Sequence, residues 1–281
     1  MTPVLWRACA ADGHEWDLIV VDAKPAQRTL LWLPALGVAA RHYLPFAHAL
    51  AAQGVNVALH EWRGHGSSTL RAARGSDWGY RELLERDLPA SLGVLHARLD
   101  VPQVLIGGHS LGGQLACCSA ALAPSLIEAV LLVASGSPYW RAFPSPLRYG
   151  LPIAYRFLPW LARINGALPG RRIGFGGTEA PGVMHDWART ALSGHYDVLD
   201  WPVELERKLG RLDVPVTSIT FAEDWFAPST SRQFLLDKMP LAPSDLIVMD
   251  RAALGAIPDH FAWMRSPDAV AKALAQSRAR L

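Results

Sequence analysis

The sequence predicts an α/β fold: a mostly parallel sheet of about eight strands, with helices on both faces. Three observations predict it. Short apolar, β-branched runs recur along the 281 residues, amphipathic segments separate several of them, and the alternation has one long gap. Strands joined by crossover helices run parallel, and a parallel sheet is covered on both faces. A chain of this length buries one large core, or a core with an inserted subdomain. With 51% hydrophobic and 19% charged residues, the composition favours folding over disorder.

The first runs, Val4–Ala10 and Trp16–Val21, lie close together around Asp12-Gly13 and predict a hairpin at the sheet's leading edge. Thr29–Leu33, Val55–His60, Gln103–Gly107 and Ala129–Ala134 follow as strands, and Val214–Phe221 and Asp245–Met249 complete the series. Between the fourth and fifth, Tyr80, Leu84, Leu88, Leu92, Leu95 and Leu99 recur at three- or four-residue spacing, the mark of a buried helix stripe. The alternation stops between about Ser137 and Asp200, a stretch rich in Pro, Gly and Trp with no convincing strand. It is too long for a simple loop and reads as a helical insertion, residues 138–200, in a core made of 1–137 and 201–281. Pro152 and Pro159 should interrupt any long amphipathic helix within it.

Net charge is +2, and with no basic run or zinc-ligand spacing nucleic acid is not an expected partner. Three cysteines (Cys9, Cys117, Cys118) have no framework spacing and fit a reducing compartment. The first residues lack a basic and then apolar leader, and no stretch reaches the roughly 18 apolar residues of a membrane span. The expectation is a cytoplasmic protein without a stable membrane anchor, its oligomeric state left open.

Gly108-His109-Ser110-Leu111-Gly112 fits G-x-S-x-G, after the apolar run Val104-Leu105-Ile106 and before an Ala-rich helical pattern. That strand–turn–helix context is what a nucleophile turn requires. The serine sits at strained backbone angles, so its neighbours need clearance, and glycines stand at 108, 112 and 113. A phosphate-binding loop would need a Lys-Ser/Thr pair where Gln114-Leu115 stands. A serine hydroxyl also needs a base and a group to orient that base. In this topology the chain order is Ser, acid, His. Asp224, just past the Val214–Phe221 strand, is the first choice for the acid, with Glu223 as alternate. His260, the only histidine after Asp224, is the base. The oxyanion donors would be the backbone N–H groups of Leu111 and of Leu36, with Ala35 as alternate to Leu36. Tyr139, Trp140 and Trp225 are substrate-binding candidates, and Tyr155, Phe157 and Trp160 could line an acyl pocket. No metal or organic cofactor is called for.

With these residues in place, the chain resembles the α/β-hydrolase superfamily, in particular its lysophospholipase or monoacylglycerol-lipase-like predicted bacterial members. The likeness rests on "LWLPALGVAARHY", "LHEWRGHGSST" and "IGGHSLGGQLA", followed in order by "AEDWFAP" and "PDHF". It departs at Pro34-Ala35, where the family often has His-Gly, and at Glu61, where an Asp usually precedes "RGHG". The resemblance implies a helical lid over the active site, which fits the 138–200 insertion. It also implies a serine hydrolase, here a carboxylesterase taking a small-molecule ester with an apolar acyl part. Acyl transfer or thioester cleavage by the same triad is the first alternative, and a non-enzymatic small-molecule receptor the second. Between Glu128 and Glu179 the chain has six arginines and no acid. The plain reading is a solvated basic face; the sharper one is attraction of an anionic substrate or membrane surface.

Overall fold

The computed structural model describes residues 2–277; Met1 and residues 278–281, assigned above to the ends of the core, lie outside the described residues. The strands in chain order are β1 (Val4–Cys9), β2 (Glu15–Val21), β3 (Arg28–Leu33), β4 (Val55–Leu59), β5 (Val104–His109) and β6 (Ile127–Val133). Then come β7 (Leu168–Pro169), β8 (Thr178–Glu179), β9 (Val216–Phe221) and β10 (Ser244–Met249). Eight of them form one sheet in the order β1-β2-β4-β3-β5-β6-β9-β10. Its pairs are parallel except β1–β2 and β2–β4, so each of the eight predicted runs is a strand and the first two form the leading hairpin.

The central strands are buried throughout because both sheet faces are covered: every residue of β4, β5 and β9 is buried. On one face, helices Leu44–Ala51 and Asp268–Gln276 enclose an aromatic group in which Phe46 contacts Trp32 at 4.6 Å and Trp263 at 5.4 Å. On the other, helices Leu88–Leu99 and Leu111–Leu122 share a core with the segment between β6 and β9. The predicted stripe at 80–99 is buried from Tyr80 to Leu95, but its helix is not uniform. Residues Leu83–Asp87 form a wider π turn just before Pro89, whose ring cannot accept the regular helical spacing.

The segment between β6 and β9 differs from expectation in two ways. It contains a short antiparallel pair, β7 with β8, where no strand was expected, because two residues per strand leave no periodicity to read. Its first helix runs unbroken over 19 residues, Leu147–Asn165, with Pro152 and Pro159 both inside. Each proline removes one helical hydrogen bond. Packing outweighs that loss, since Tyr155, Leu158 and Ala162 bury one face, with Tyr155 edge-on to Trp187 of helix Pro181–Ser193 at 4.9 Å.

His60 follows β4 and is fully buried between the rings of Trp16 and Trp62, with Nδ1 2.9 Å from Ser91 Oγ. Burial lowers its pKa from 6.5 to about 3, against the opposing pull of Asp87. The folded state therefore keeps the ring neutral, while the unfolded chain takes up a proton below about 6.5. This contribution to stability is complete above that value and declines as pH falls toward 3. Between pH 7 and pH 5, unfolding in urea should show a loss of about 2 kcal/mol from this residue. His60→Phe should flatten the pH profile by a similar amount, and an unchanged profile would refute the assignment.

Candidate active site

β5 ends at His109 and helix Leu111–Leu122 begins two residues later, so Ser110 alone makes the turn, at φ 54° and ψ −118°. L side chains rarely adopt this conformation, and it persists only where the surroundings fix it. The Ser110 N–H donates to Val133 O of β6 at 3.1 Å. A Cβ on Gly108 would strike the backbone of Gly112 and Gly113, and one on Gly112 would strike the Leu33 and Pro34 carbonyls. The glycines around Ser110 are therefore a steric requirement of strand and helix approaching so closely.

Asp224 and His260 come together from two loops beyond the carboxyl ends of β9 and β10. The Asp224 Oδ1 accepts the N–H groups of Phe226 (2.9 Å) and Ala227 (3.1 Å), and its Oδ2 lies 2.8 Å from His260 Nδ1. With Nδ1–H donated to that carboxylate, Nε2 is the ring nitrogen left for chemistry. Both side chains are buried. Glu223 diverges from its neighbour: it is half exposed and pairs with Arg251 at 3.3 Å. Ser110 and His260 line one cavity, and no hydrogen bond joins them among the described residues. Such contacts commonly tighten only when substrate binds.

Leu111 and Leu36, two residues whose backbone N–H groups are unengaged among the described residues, line the same cavity. That of Leu111 heads the helix, where the first amides have no helical acceptor, and that of Leu36 has no partner among the described residues. The Ala35 N–H is already engaged, donating to the Tyr43 hydroxyl at 2.9 Å. The Tyr43 hydroxyl in turn hydrogen-bonds Nδ1 of His109, 2.8 Å away at the end of β5. Burial holds the Tyr43 hydroxyl protonated, and burial together with the neighbouring His260 keeps His109 well below the ordinary imidazole value. A neutral relay thus ties the loop after β3 to the turn after β5. Glu61 supports it: its Oε1 accepts the Ala40 N–H at 3.1 Å, at the start of the turn that carries Tyr43.

The cavity is about 460 Å³. Beyond Ser110, His260 and Gln114, whose Oε1 accepts the Tyr196 hydroxyl at 3.0 Å, its wall is mostly apolar, with Phe143, Leu151, Tyr155, Leu158, Phe175 and Trp187 all from the segment between β6 and β9. Trp225 lines it, stacked on Phe226 at 3.8 Å. Tyr139 and Trp140 do not. Tyr139 lies against Phe234, its ring 4.7 Å away and tilted by 34°, and Trp140 sits in a short 3₁₀ turn beneath Arg141. Of the acyl-pocket candidates, Tyr155 and Phe157 line the cavity, whereas Trp160 faces solvent. Among the described residues the lining includes no Asp, Glu, Lys or Arg. Cys117 is fully buried, and burial pushes its thiol up to about 12.

The sequence profile of the family described as serine aminopeptidase, S33, matches residues 24–253. The chain belongs to that family. It is a hydrolase with the α/β-hydrolase fold. A hydrolase from Pseudomonas aeruginosa PA01 superposes with a TM-score of 0.66 at 17% identity, covering 96% of this chain and 97% of that one. A thermophilic esterase from Thermogutta terrifontis gives 0.64 at 15% identity, covering 98% and 97%. A monoacylglycerol lipase from Paleococcus ferrophilus gives 0.62 at 16%, covering 96% and 98%. No curated protein matches the chain.

Tyr43 and His109 of this S33 family member escaped the sequence reading. The signal was present in "GHSLGG" and "ARHY", but polar residues in such blocks declare no partner until the chain is folded. Tyr43→Phe strands the buried Ala35 N–H and His109 Nδ1. It should lower stability by about 1–3 kcal/mol in urea unfolding, and a variant as stable as the parent would show that the relay holds nothing.

Proposed function

We propose that the protein is a carboxylesterase that cleaves esters with an apolar acyl part. The observation that carries this reading is the cavity: apolar, next to Ser110 and His260, and without a charged side chain in its wall. A peptide's free α-ammonium would lose its hydration there with no carboxylate to receive it, a costly transfer. This favours an acyl chain over an aminopeptidase substrate.

In this mechanism Ser110 Oγ attacks the ester carbonyl while His260 Nε2 takes its proton. Asp224 fixes the imidazole tautomer and stabilises the cation that forms. The N–H groups of Leu36 and Leu111 receive the developing oxyanion. His260 then protonates the leaving alcohol, water attacks the acyl-enzyme with His260 as base, and Ser110 is restored. Residues 138–200 serve as a lid over the core of 1–137 and 201–281, their helices forming the acyl wall.

A fluorophosphonate probe should label the native protein and Glu223→Gln alike, and leave Ser110→Ala unlabelled. His260→Ala and Asp224→Asn should label far more slowly, and Asp224→Asn should lose about 10⁴-fold in kcat. Labelling that survives in Ser110→Ala sinks the mechanism.

The substrate class is tested with p-nitrophenyl esters of increasing acyl length beside aminoacyl p-nitroanilides. Each added methylene should raise kcat/KM about fourfold until the cavity is filled. Best turnover of acetate, or of an anilide with a free amine, contradicts the apolar acyl site.

A further inference from the structure

Helix Leu147–Asn165 is apolar on two opposite faces. Tyr155, Leu158 and Ala162 turn inward, whereas Tyr149, Ile153, Phe157, Trp160 and Ile164 are exposed. The exposed five recur every third or fourth residue, so at 100° per residue they form one stripe opposite the buried face. The stripe runs along a helix about 28 Å long (19 residues at 1.5 Å each). A contiguous apolar surface of this kind on a folded protein marks a place where something binds.

Among the helix's own residues the charge is equally one-sided, with Asp77 and Asp186 sharing a groove with Trp160 and Arg163 at one end of the helix. Arg156 and Arg163 lie along the edge of the stripe, and Arg171 and Arg172 are exposed in the turn that follows. Arg141 and Arg148 sit over the rings of Trp140 and Tyr149. Among the described residues none of these six arginines forms a salt bridge. Phe157 belongs both to the stripe and to the cavity wall, and Ile173, Trp225 and Phe261 are likewise exposed while lining the cavity. The stripe is therefore continuous with the mouth of the site.

We propose that this face docks reversibly on an anionic lipid surface, laying helix Leu147–Asn165 in the interface with the cavity mouth against the lipid. An apolar stripe with an interfacial Trp, flanked by arginines and free of acids, has the composition of an interfacial helix. Anionic headgroups supply the counter-charge that the six arginines lack. A second copy of the chain fits less well, since a two-fold contact through the stripe sets arginine against arginine. Docking does not depend on the esterase reading, because Ser110→Ala keeps the whole surface.

The test is sedimentation of the Ser110→Ala protein with vesicles. It should pellet with equimolar phosphatidylglycerol–phosphatidylcholine at low salt, less so at high salt, and hardly at all with phosphatidylcholine alone. Adding Arg156→Gln and Arg163→Gln should weaken binding about thirtyfold. Adding Ile153→Glu and Trp160→Glu instead should abolish it, with urea unfolding showing that each variant remains folded. No binding to the anionic vesicles, equal binding to neutral ones, or binding untouched by either pair of substitutions overturns the proposal. So does a solution dimer that Ile153→Glu converts to monomer. Absence of activity of the native protein on soluble esters would refute the esterase reading and leave the docking untouched.

Discussion

The site depends on one residue held where the backbone resists. Ser110 at φ 54° is a non-glycine residue in a conformation that L side chains avoid, held by its N–H bond to Val133 O and by the Gly113 N–H that its carbonyl accepts. β5, sandwiched between β3 and β6, fixes one side of the turn, and helix Leu111–Leu122, buried over most of its length, fixes the other. The clearance between them is narrow enough that Gly108 and Gly112 cannot carry a Cβ. What the strain produces is placement. The hydroxyl stands at the end of a rigid strand, at the N-terminus of the helix that Leu111 begins.

The remaining machinery is arranged so that few of its parts need charge of their own. Tyr43 and His109 are buried and neutral, and their hydrogen bonds connect the loop after β3 to the nucleophile turn without placing an ion beside the site. Had His109 been cationic, it would have faced the His260 ring, 4.8 Å away, and opposed any positive charge on it. Asp224 is the one buried carboxylate at the centre, and three hydrogen bonds hold it: two backbone donors fix one oxygen, and His260 takes the other. Glu61 serves the loop from outside the cavity. Its Oε1 accepts the Ala40 N–H, at the start of the turn that carries Tyr43.

What the sequence disclosed follows from where its signals are local. Eight strands were legible because each is a continuous apolar run. Strand ends with a known chain order singled out Ser110, Asp224 and His260 as candidates, of which Asp224 and His260 are in contact and Ser110 shares a cavity with His260. The cavity wall was not, because aromatic residues in the 138–200 segment look alike along the chain. Tyr155 lines the cavity, Tyr139 lies against Phe234, and Trp160 faces water. Three-dimensional neighbours make that difference. The helix across Pro152 and Pro159 was misjudged for the same reason. Proline's cost is written in the sequence, whereas the compensating burial of Tyr155, Leu158 and Ala162 against helix Pro181–Ser193 is a tertiary fact.

That unbroken helix changes the meaning of its outer face. Were it interrupted at Pro152 and Pro159, Ile153, Phe157 and Trp160 would be scattered exposed side chains, which are common on soluble proteins. Carried on 19 continuous residues, they share one direction with Tyr149 and Ile164, and the arginines beside them share one edge. The inner face of the same helix supplies Leu151, Tyr155 and Leu158 to the cavity. One element therefore separates a pocket suited to an acyl chain from an outer surface suited to lipid, and Phe157 belongs to both sides of it.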